Sequence, residues 1–349
     1  MKTLHQLLRL RNKYEGALFG VEIETEGHKL PDRIPQQWGI KEDGSLRGRF
    51  PDQAAEYVMN RPLSLENSIE ALKDLRKAMD ENGAEFNYSF RTSVHVHLNV
   101  SDLTSEQYLN TVYTYLLLEN VFVRYCGNER VGNRFCLRYQ DAENLGGFLI
   151  EMFRNGAGFV NNAEMHHLKY AALNIAATPR YGSLEFRAMQ GNLEVPYITV
   201  WLRAIDCVRK YAIAHANPQA IHDKFVKLGG SEFMKDVLGA LYPFFSHPDE
   251  DGDLALAFSI TIELPHAYQN EKMRLQRIEE MLAKEQAELV AQVERKLAQR
   301  KQVAMIEAGL DDGEPIEMHL VQDVEHVDML NEILRRDQRV NQINQIVRR

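Results

Sequence analysis

Cysteine is scarce in this chain, three in 349 residues. Cys126, Cys136 and Cys207 form no C-x-x-C pair and no zinc spacing, so they read as free, partly buried thiols of a reducing compartment. No run of roughly 18 apolar residues occurs, which argues against a membrane-spanning helix. The start, "MKTLHQLLRLRNKYEG", has leucines at helical spacing but neither the apolar centre nor the cleavage site of a targeting peptide. The expectation is a cytoplasmic protein. Positive charge is in deficit: the net charge is −9 and the pI is near 5.8. That argues against broad nonspecific binding to nucleic acid, which needs basic surface to displace counterions, and leaves room only for a local basic groove. The familiar catalytic signatures are missing too. There is no G-x-x-x-x-G-K-[ST], no H-E-x-x-H, no G-x-S-x-G, and no G-x-G-x-x-G after a strand. Solenoid repeats and low-complexity tracts are also absent.

What is present supports a folded body. Hydrophobic residues make up 44% of the chain, a globular proportion, and the length suits one large domain or two medium ones. Residues 18–26 predict a strand after a short amphipathic helix carrying Leu4, Leu7, Leu8 and Leu10. Residues 41–63 predict a hairpin or loop, with a turn at Asp43-Gly44, leading into a short strand near Glu56–Met59. Residues 64–83 predict a helix capped by Ser64 and closed by Gly83, with Leu65, Ile69, Leu72, Leu75 and Met79 on one stripe. Strand alternation returns at 91–100, followed by a long buried helix over 101–127 with Thr104 as its cap. Residues 128–162 read as long Gly- and Asn-rich loops around one short helix, bearing Arg130, Arg134, Arg138 and Arg154. "KYAALNIAA" and "GSLEFRAMQG" predict two more strands about a turn at 178–182, and residues 195–216 a buried helix begun near Pro196.

Composition shifts after about residue 265. The reading is a body over residues 1–265 and a helical arm over 266–349. The arm has two amphipathic helices joined by the acidic connector "LDDGEPIE", the second running from about 324 to 347. Such an arm can fold back on the body, pair with a like subunit or dock a protein partner.

The chemistry-bearing signal lies in three strands. Residues two apart in a strand share a face. In "LFGVEIETEG", Glu22, Glu24 and Glu26 therefore line one face, and Val21, Ile23 and Thr25 the other. Carboxylates about 7 Å apart repel by roughly 2 kcal/mol at an effective dielectric of about 20. A solvated edge strand tolerates that; a divalent cation reverses its sign. In "VHVHLN", His95, His97 and Asn99 share a face, which fits a metal site, a phosphate contact or a surface accident. In "SLEFRA", Glu185 and Arg187 share a face, as a cross-strand ion pair also would. Side by side in one sheet, the three would form a wall of carboxylates, imidazoles and a guanidinium. That inventory suits Mg²⁺-nucleotide chemistry.

The blocks "FGVEIETE", "EDGSL", "EYVMNRPL", "SVHVHLN", "KYAALN" and "GSLEFR", in this order across roughly residues 17–192, resemble the phage and bacterial amidoligases of the glutamine synthetase and glutamate–cysteine ligase superfamily. The resemblance implies an α+β fold, a curved antiparallel sheet backed by helices as in the glutamine synthetase catalytic domain. It implies an ATP- and Mg²⁺-dependent ligase, with Mn²⁺ as an alternative cation, that joins a carboxylate to an amine through an acyl phosphate. By the same resemblance Glu22, Glu24, Glu56, His95 and Glu185 are metal ligands, and His97, Asn99 and Asn174 are nucleotide contacts. Arg187 steadies the transferring phosphoryl group, with Glu24 and Arg187 as the catalytic pair. Asp43 and Ser45 lie near the carboxylate substrate. Lys169 departs from the pattern, standing where an arginine is expected. The arginine loop (Arg130, Arg134, Arg138) is a candidate cover for bound phosphates, and Glu26 either accepts the amine proton or is solvated at the strand end. The partners implied are small-molecule or peptide carboxylates and amines, with no membrane. Two further readings stand beside this one: an interaction protein that keeps the fold and acts through its arm, and a metal-dependent hydrolase using the same histidine and glutamate ligands.

Overall fold

Alternation of apolar and polar residues places eight strands in one antiparallel sheet, which the helices back. The computed structural model describes residues 2–48, 50, 52–161 and 166–308. In chain order the elements are α1 (Leu4–Leu8), β1 (Leu18–His28), β2 (Trp38–Lys41), β3 (Ala54–Met59), β4 (Leu63–Ser64), α2 (Leu65–Glu81), β5 (Glu85–Phe86), β6 (Ser93–Asn99) and α3 (Ser105–Cys126). They continue as α4 (Leu145–Asn155), β7 (Leu173–Asn174), α5 (Thr178–Tyr181), β8 (Ser183–Gln190), α6 (Val195–Ala214), α7 (Pro218–Leu228), α8 (Gly230–Leu238), α9 (Tyr242–Phe245), α10 (Glu250–Thr261) and α11 (Glu263–Ala308). The fold is mixed α+β. The sheet order is β2-β3-β1-β6-β8-β7, with β4 and β5 also pairing with β1.

The long strand β1 is therefore central, not an edge, and its acidic face is not a solvated rim. Its other face buries Phe19, Val21 and Ile23 completely. The same face continues through Tyr57 of β3, Val94, Val96 and Leu98 of β6, and Leu184 and Phe186 of β8. Helices α2 and α3 pack beneath it on β1 and β8, and α6 packs on both helices. Under β8, Phe186 meets Tyr115 and Trp201 edge-on, and Trp201 meets Phe122 in the same way. This aromatic block gives the strand a stiff floor.

Local signals explain the helix limits. Ser64 accepts a hydrogen bond from the Asn67 amide at 3.4 Å, and Thr104 accepts one from the Gln107 amide at 3.2 Å while the Gln107 side chain returns to the Thr104 amide. Gly83 takes a left-handed φ of +66° just past α2. Three expectations differ from the structure. "KYAALNIAA" contributes only the two-residue β7, because tight helical turns flank it on both sides. The expected turn at 178–182 is the short helix α5, closed by Gly182 at φ +71°. Residues 218–261, for which no element was expected, form α7 to α10.

The chain divides into a body ending at Gln269 and a second unit beginning at Asn270. Helix α11 spans 46 residues. The acidic connector and the second arm helix lie outside the described residues, and with them the helical hairpin. Among the described residues no helix is long and apolar enough to cross a membrane. All three cysteines are free thiols.

Candidate active site

Register brings the polar faces into line. Glu22 sits opposite His95 and Glu24 opposite Glu56. His97 sits opposite Glu185, which in turn faces Asn174 of β7. Between Val94 and Val96 the β6–β8 pairing shifts by one residue. This bulge sets Arg187 and Ala188 together across from His95, so that Arg187 stays on the site face.

The result is one cluster. His95 Nδ1 lies 3.6 Å from Glu22 Oε2 and 3.5 Å from Glu185 Oε1. One ligand-competent atom from each of Glu22, His95 and Glu185 falls within 4.8 Å of the others. His97 Nε2 is 3.6 Å from Glu22 Oε1, and its Nδ1 is 3.0 Å from Ser183 Oγ. Arg187 pairs with Glu185 Oε1, and the Asn174 amide donates to Glu185 Oε2 at 2.6 Å. Ser93, two residues before His95 on the same face, donates to Glu24 and lies 2.7 Å from His95 Nε2. The cluster is sheltered: Glu24 and Glu185 are each 6% exposed and His95 3%.

Burial of several carboxylates together splits their proton affinities. Burial is the largest influence on Glu22 and raises it, but the His95 hydrogen bond and the charges of His97, His95 and Lys41 outweigh it and hold Glu22 at about 2. Its neighbour Glu56 is pushed up to about 7, by burial first and then by the charge of Glu22. Glu24 is raised, chiefly by burial, against the pull of His95, Ser93 and Arg187. Asp43 is lowered: burial acts against this, but hydrogen bonds from Ser45 and Glu24 prevail. Glu185 is also lowered, because Arg187, His95 and His97 together overcome its burial. In each of two neighbouring carboxyl pairs, Glu22–Glu56 and Glu24–Asp43, one member is thus lowered and the other raised.

Of the residues singled out from the sequence, Glu22, Glu24, Glu56, His95, His97, Asn174, Glu185 and Arg187 converge here, and the Asp43–Ser45 loop reaches them through Glu24. Asn99 does not join them. Its amide donates to the Gly16 carbonyl at 2.9 Å and to Asp102 at 3.2 Å, and accepts from Ser101, so it ties the strand end to the N-terminal segment. Glu26 is buried and accepts the Arg47 amide at 2.7 Å, which removes the solvated alternative for it. The arginine loop divides. Arg134 is exposed beside Phe135, and Arg138 pairs with Asp141 and Asn120. Arg130 is buried, donating to the carbonyls of Ala188 at 3.0 Å and Arg187 at 2.8 Å, directly behind the bulge. Sequence reading missed Ser93, and it placed Arg130 over bound phosphates instead of behind the strand. Extending the period-two pattern of "VHVH" one step back finds Ser93; nothing in the sequence marks Arg130 for burial without a carboxylate partner.

Carboxylates, two imidazoles and a guanidinium thus gather on one sheet face. Residues 37–207 match the model of a family described as "Putative amidoligase enzyme", and this segment of the chain is similar to that family. The matched segment runs from just before β2 into α6 and includes Glu56, His95, Glu185 and Arg187; Glu22 and Glu24 precede it. No curated protein matches the chain.

Proposed function

We propose that the protein is an ATP- and Mg²⁺-dependent carboxylate–amine ligase working through an acyl phosphate. The observation that carries this reading is the convergence of Glu22, His95 and Glu185 within 4.8 Å, with Arg187 paired to the same Glu185. The donor set fits a divalent cation. Its atoms are hard oxygens and an imidazole, and its like charges are crowded and buried, an arrangement costly without a cation. Glu22, His95 and Glu185 would hold the ion, with Glu24 and Glu56 beside them. When bound, it neutralises nucleotide phosphate charge.

The chain's own groups supply the rest. Arg187, anchored by Glu185 and by the Phe135 carbonyl at 3.5 Å, offers its remaining donors to the γ-phosphoryl oxygens as an oxygen of the substrate carboxylate attacks phosphorus. The bond from the γ-phosphorus to the β-bridging oxygen breaks and ADP departs. An amine then attacks the acyl carbon and inorganic phosphate leaves. The Glu24–Asp43 pair is positioned to accept the proton released by the amine. His97 and Asn174 border the cluster on the β8 side, where the nucleotide is placed in this reading. The fold reading that accompanies it is a glutamine synthetase-like sheet.

The test is ADP release, screened over amino acids and short peptides as carboxylate and amine, with mass spectrometry for a product lighter by one water. Release should require both partners. Glu24→Ala and Arg187→Ala should each lower it by about 100-fold or more while still melting cooperatively. Full activity in either variant would remove the site assignment. Because the set includes an imidazole, Mn²⁺ should raise Tm more than Mg²⁺ at equal concentration.

A second reading has one observation in its favour. Met273, Met281, Val290, Leu297 and Val303 on α11 are all exposed, as on a partner-binding arm. An interaction protein of that kind would show no Tm shift with Mg-ATP at millimolar concentration.

A further inference from the structure

Beside the site, cations and aromatic rings from separate loops form a connected rim. The Arg47 and Arg91 guanidinium groups lie 6.0 Å and 5.2 Å from the centre of the Phe90 ring. Arg134 lies 4.9 Å and Arg91 5.9 Å from the Phe135 ring, and the two rings stack at 6.2 Å. Tyr170 meets Phe135 edge-on at 6.0 Å and carries Lys169 over its own face. Phe90 and Tyr170 are exposed, at 44% and 38%.

The rim is continuous with the chemistry. Arg91 donates to the Ser45 carbonyl at 2.9 Å, Arg47 leads from Glu26, and the Phe135 carbonyl holds Arg187. Other arginines of the body, Arg76, Arg124, Arg138, Arg154 and Arg209 among them, pair with carboxylates. Arg47, Arg91, Arg134 and Lys169 form no ion pair with a carboxylate among the described residues. The buried Nε of Arg91 has no hydrogen-bond partner there either. In a chain of net charge −9, four such cations linked through one set of aromatic rings form a local field of the opposite sign.

We infer that this rim binds the carboxylate substrate, and that this substrate is an acidic peptide segment carrying several carboxylates beyond the one that reacts. Guanidinium groups match carboxylates with paired N–H donors. Four cations suit a short run of charges, whereas nucleic acid tracks a longer basic surface. A single-stranded base also needs a bare aromatic face, and here guanidinium groups already lie over Phe90 and Phe135. The inference rests on the ligase reading for what happens next, but binding is measured without catalysis.

The probe is fluorescein-labelled hexaglutamate, followed by anisotropy on the full chain, with hexaglutamine as the neutral control. Hexaglutamate should bind at about 20 mM salt and weaken roughly tenfold or more at about 500 mM. The double variant R47E/R134E, both sites exposed, should weaken it by about tenfold or more, and R47Q/R134Q should weaken it less. The glutamine pair also serves if charge reversal upsets folding. The inference is overturned if hexaglutamate binds no better than hexaglutamine, or if neither variant changes its affinity. It is also overturned if Mg-ATP displaces the peptide competitively, since the rim would then seat the triphosphate, or if a single-stranded oligonucleotide binds the rim more tightly. The Tm shift of the unmodified protein with Mg-ATP is read separately. Peptide binding without that shift keeps the rim and removes the ligase; the shift without peptide binding does the opposite.

Discussion

Single residues in this body are held in states that their types do not ordinarily adopt, and the clearest lies away from the cluster. Glu119 projects from α3 into the core at 3% exposure, where its Oε2 accepts the Tyr139 amide at 2.6 Å. Burial, the dominant influence, pushes its pKa to about 8 against that hydrogen bond and the charge of Arg138. The folded chain therefore keeps a proton that the unfolded chain gives up above its ordinary value of 4.5. Stability contributed by the protonated form is complete below the unfolded value and is lost as pH rises towards about 8. Glu119→Gln retains a carbonyl acceptor and removes the titration. Urea melts should show the variant close to the native protein at pH 5 and more stable than it at pH 8. The gap grows by up to about 1.4 kcal/mol per pH unit between the two values. A gap of constant size would mean that Glu119 is not kept protonated by the fold.

At the scale of elements, the packing of β1 between its neighbours decides what can change. Near its end, past the stretch paired with β6, β1 pairs with β5, with Gly27 opposite Phe86 and His28 opposite Glu85. A Cβ on Gly27 would overlap the Glu85 carbonyl oxygen and lie 3.0 Å from the carbonyl carbon and 3.2 Å from Phe86 Cα. All of these are backbone atoms, so no side chain can rotate away. Gly27→Ala should cost about 2–4 kcal/mol, seen as a lower urea midpoint with unchanged slope. It should also weaken Mn²⁺ binding, because Glu26 and Glu24 move with the strand. Elements of this kind were legible wherever one period ran long enough. Three alternating pairs in β1, the Val-His-Val-His run of β6 and the Leu-Glu-Phe-Arg run of β8 each declare a face, and Ser64 and Thr104 declare helix starts. What was not legible depends on contacts distant in sequence. Two-residue β7 has no period to read, and the bulge behind Arg187 follows from Arg130 clamping two carbonyls. The approach of Asp43 to Glu24 follows from how a loop closes, and Asn99 shares a face with His97 yet is drawn away by Gly16 and Asp102.

For the whole molecule, α11 poses the question of where the folding body stops. Its first turns belong to the core: Leu264 is fully buried, and Ala267 and Tyr268 are 9% and 8% exposed. His266 packs near His222, at 5.5 Å between ring centres, and His222 itself bonds the Tyr113 hydroxyl at 3.1 Å. From Met273 to Val303 the apolar side chains are partly or largely exposed, so they contribute little to the stability of the body. Two truncations should therefore behave differently. A chain ending at Gln269 should melt cooperatively within a few degrees of the full protein and keep its Mn²⁺-dependent rise in Tm, since every ligand candidate lies in the body. A chain ending at Ile262 deletes Leu264 and Tyr268 from packed positions and should lose about 3–5 kcal/mol, enough to remove much of a domain's margin. Calorimetry of the pair separates the possibilities. If both truncations unfold alike, the body draws its stability from beyond Gln269, and the arm is part of the catalytic fold instead of an appendage to it.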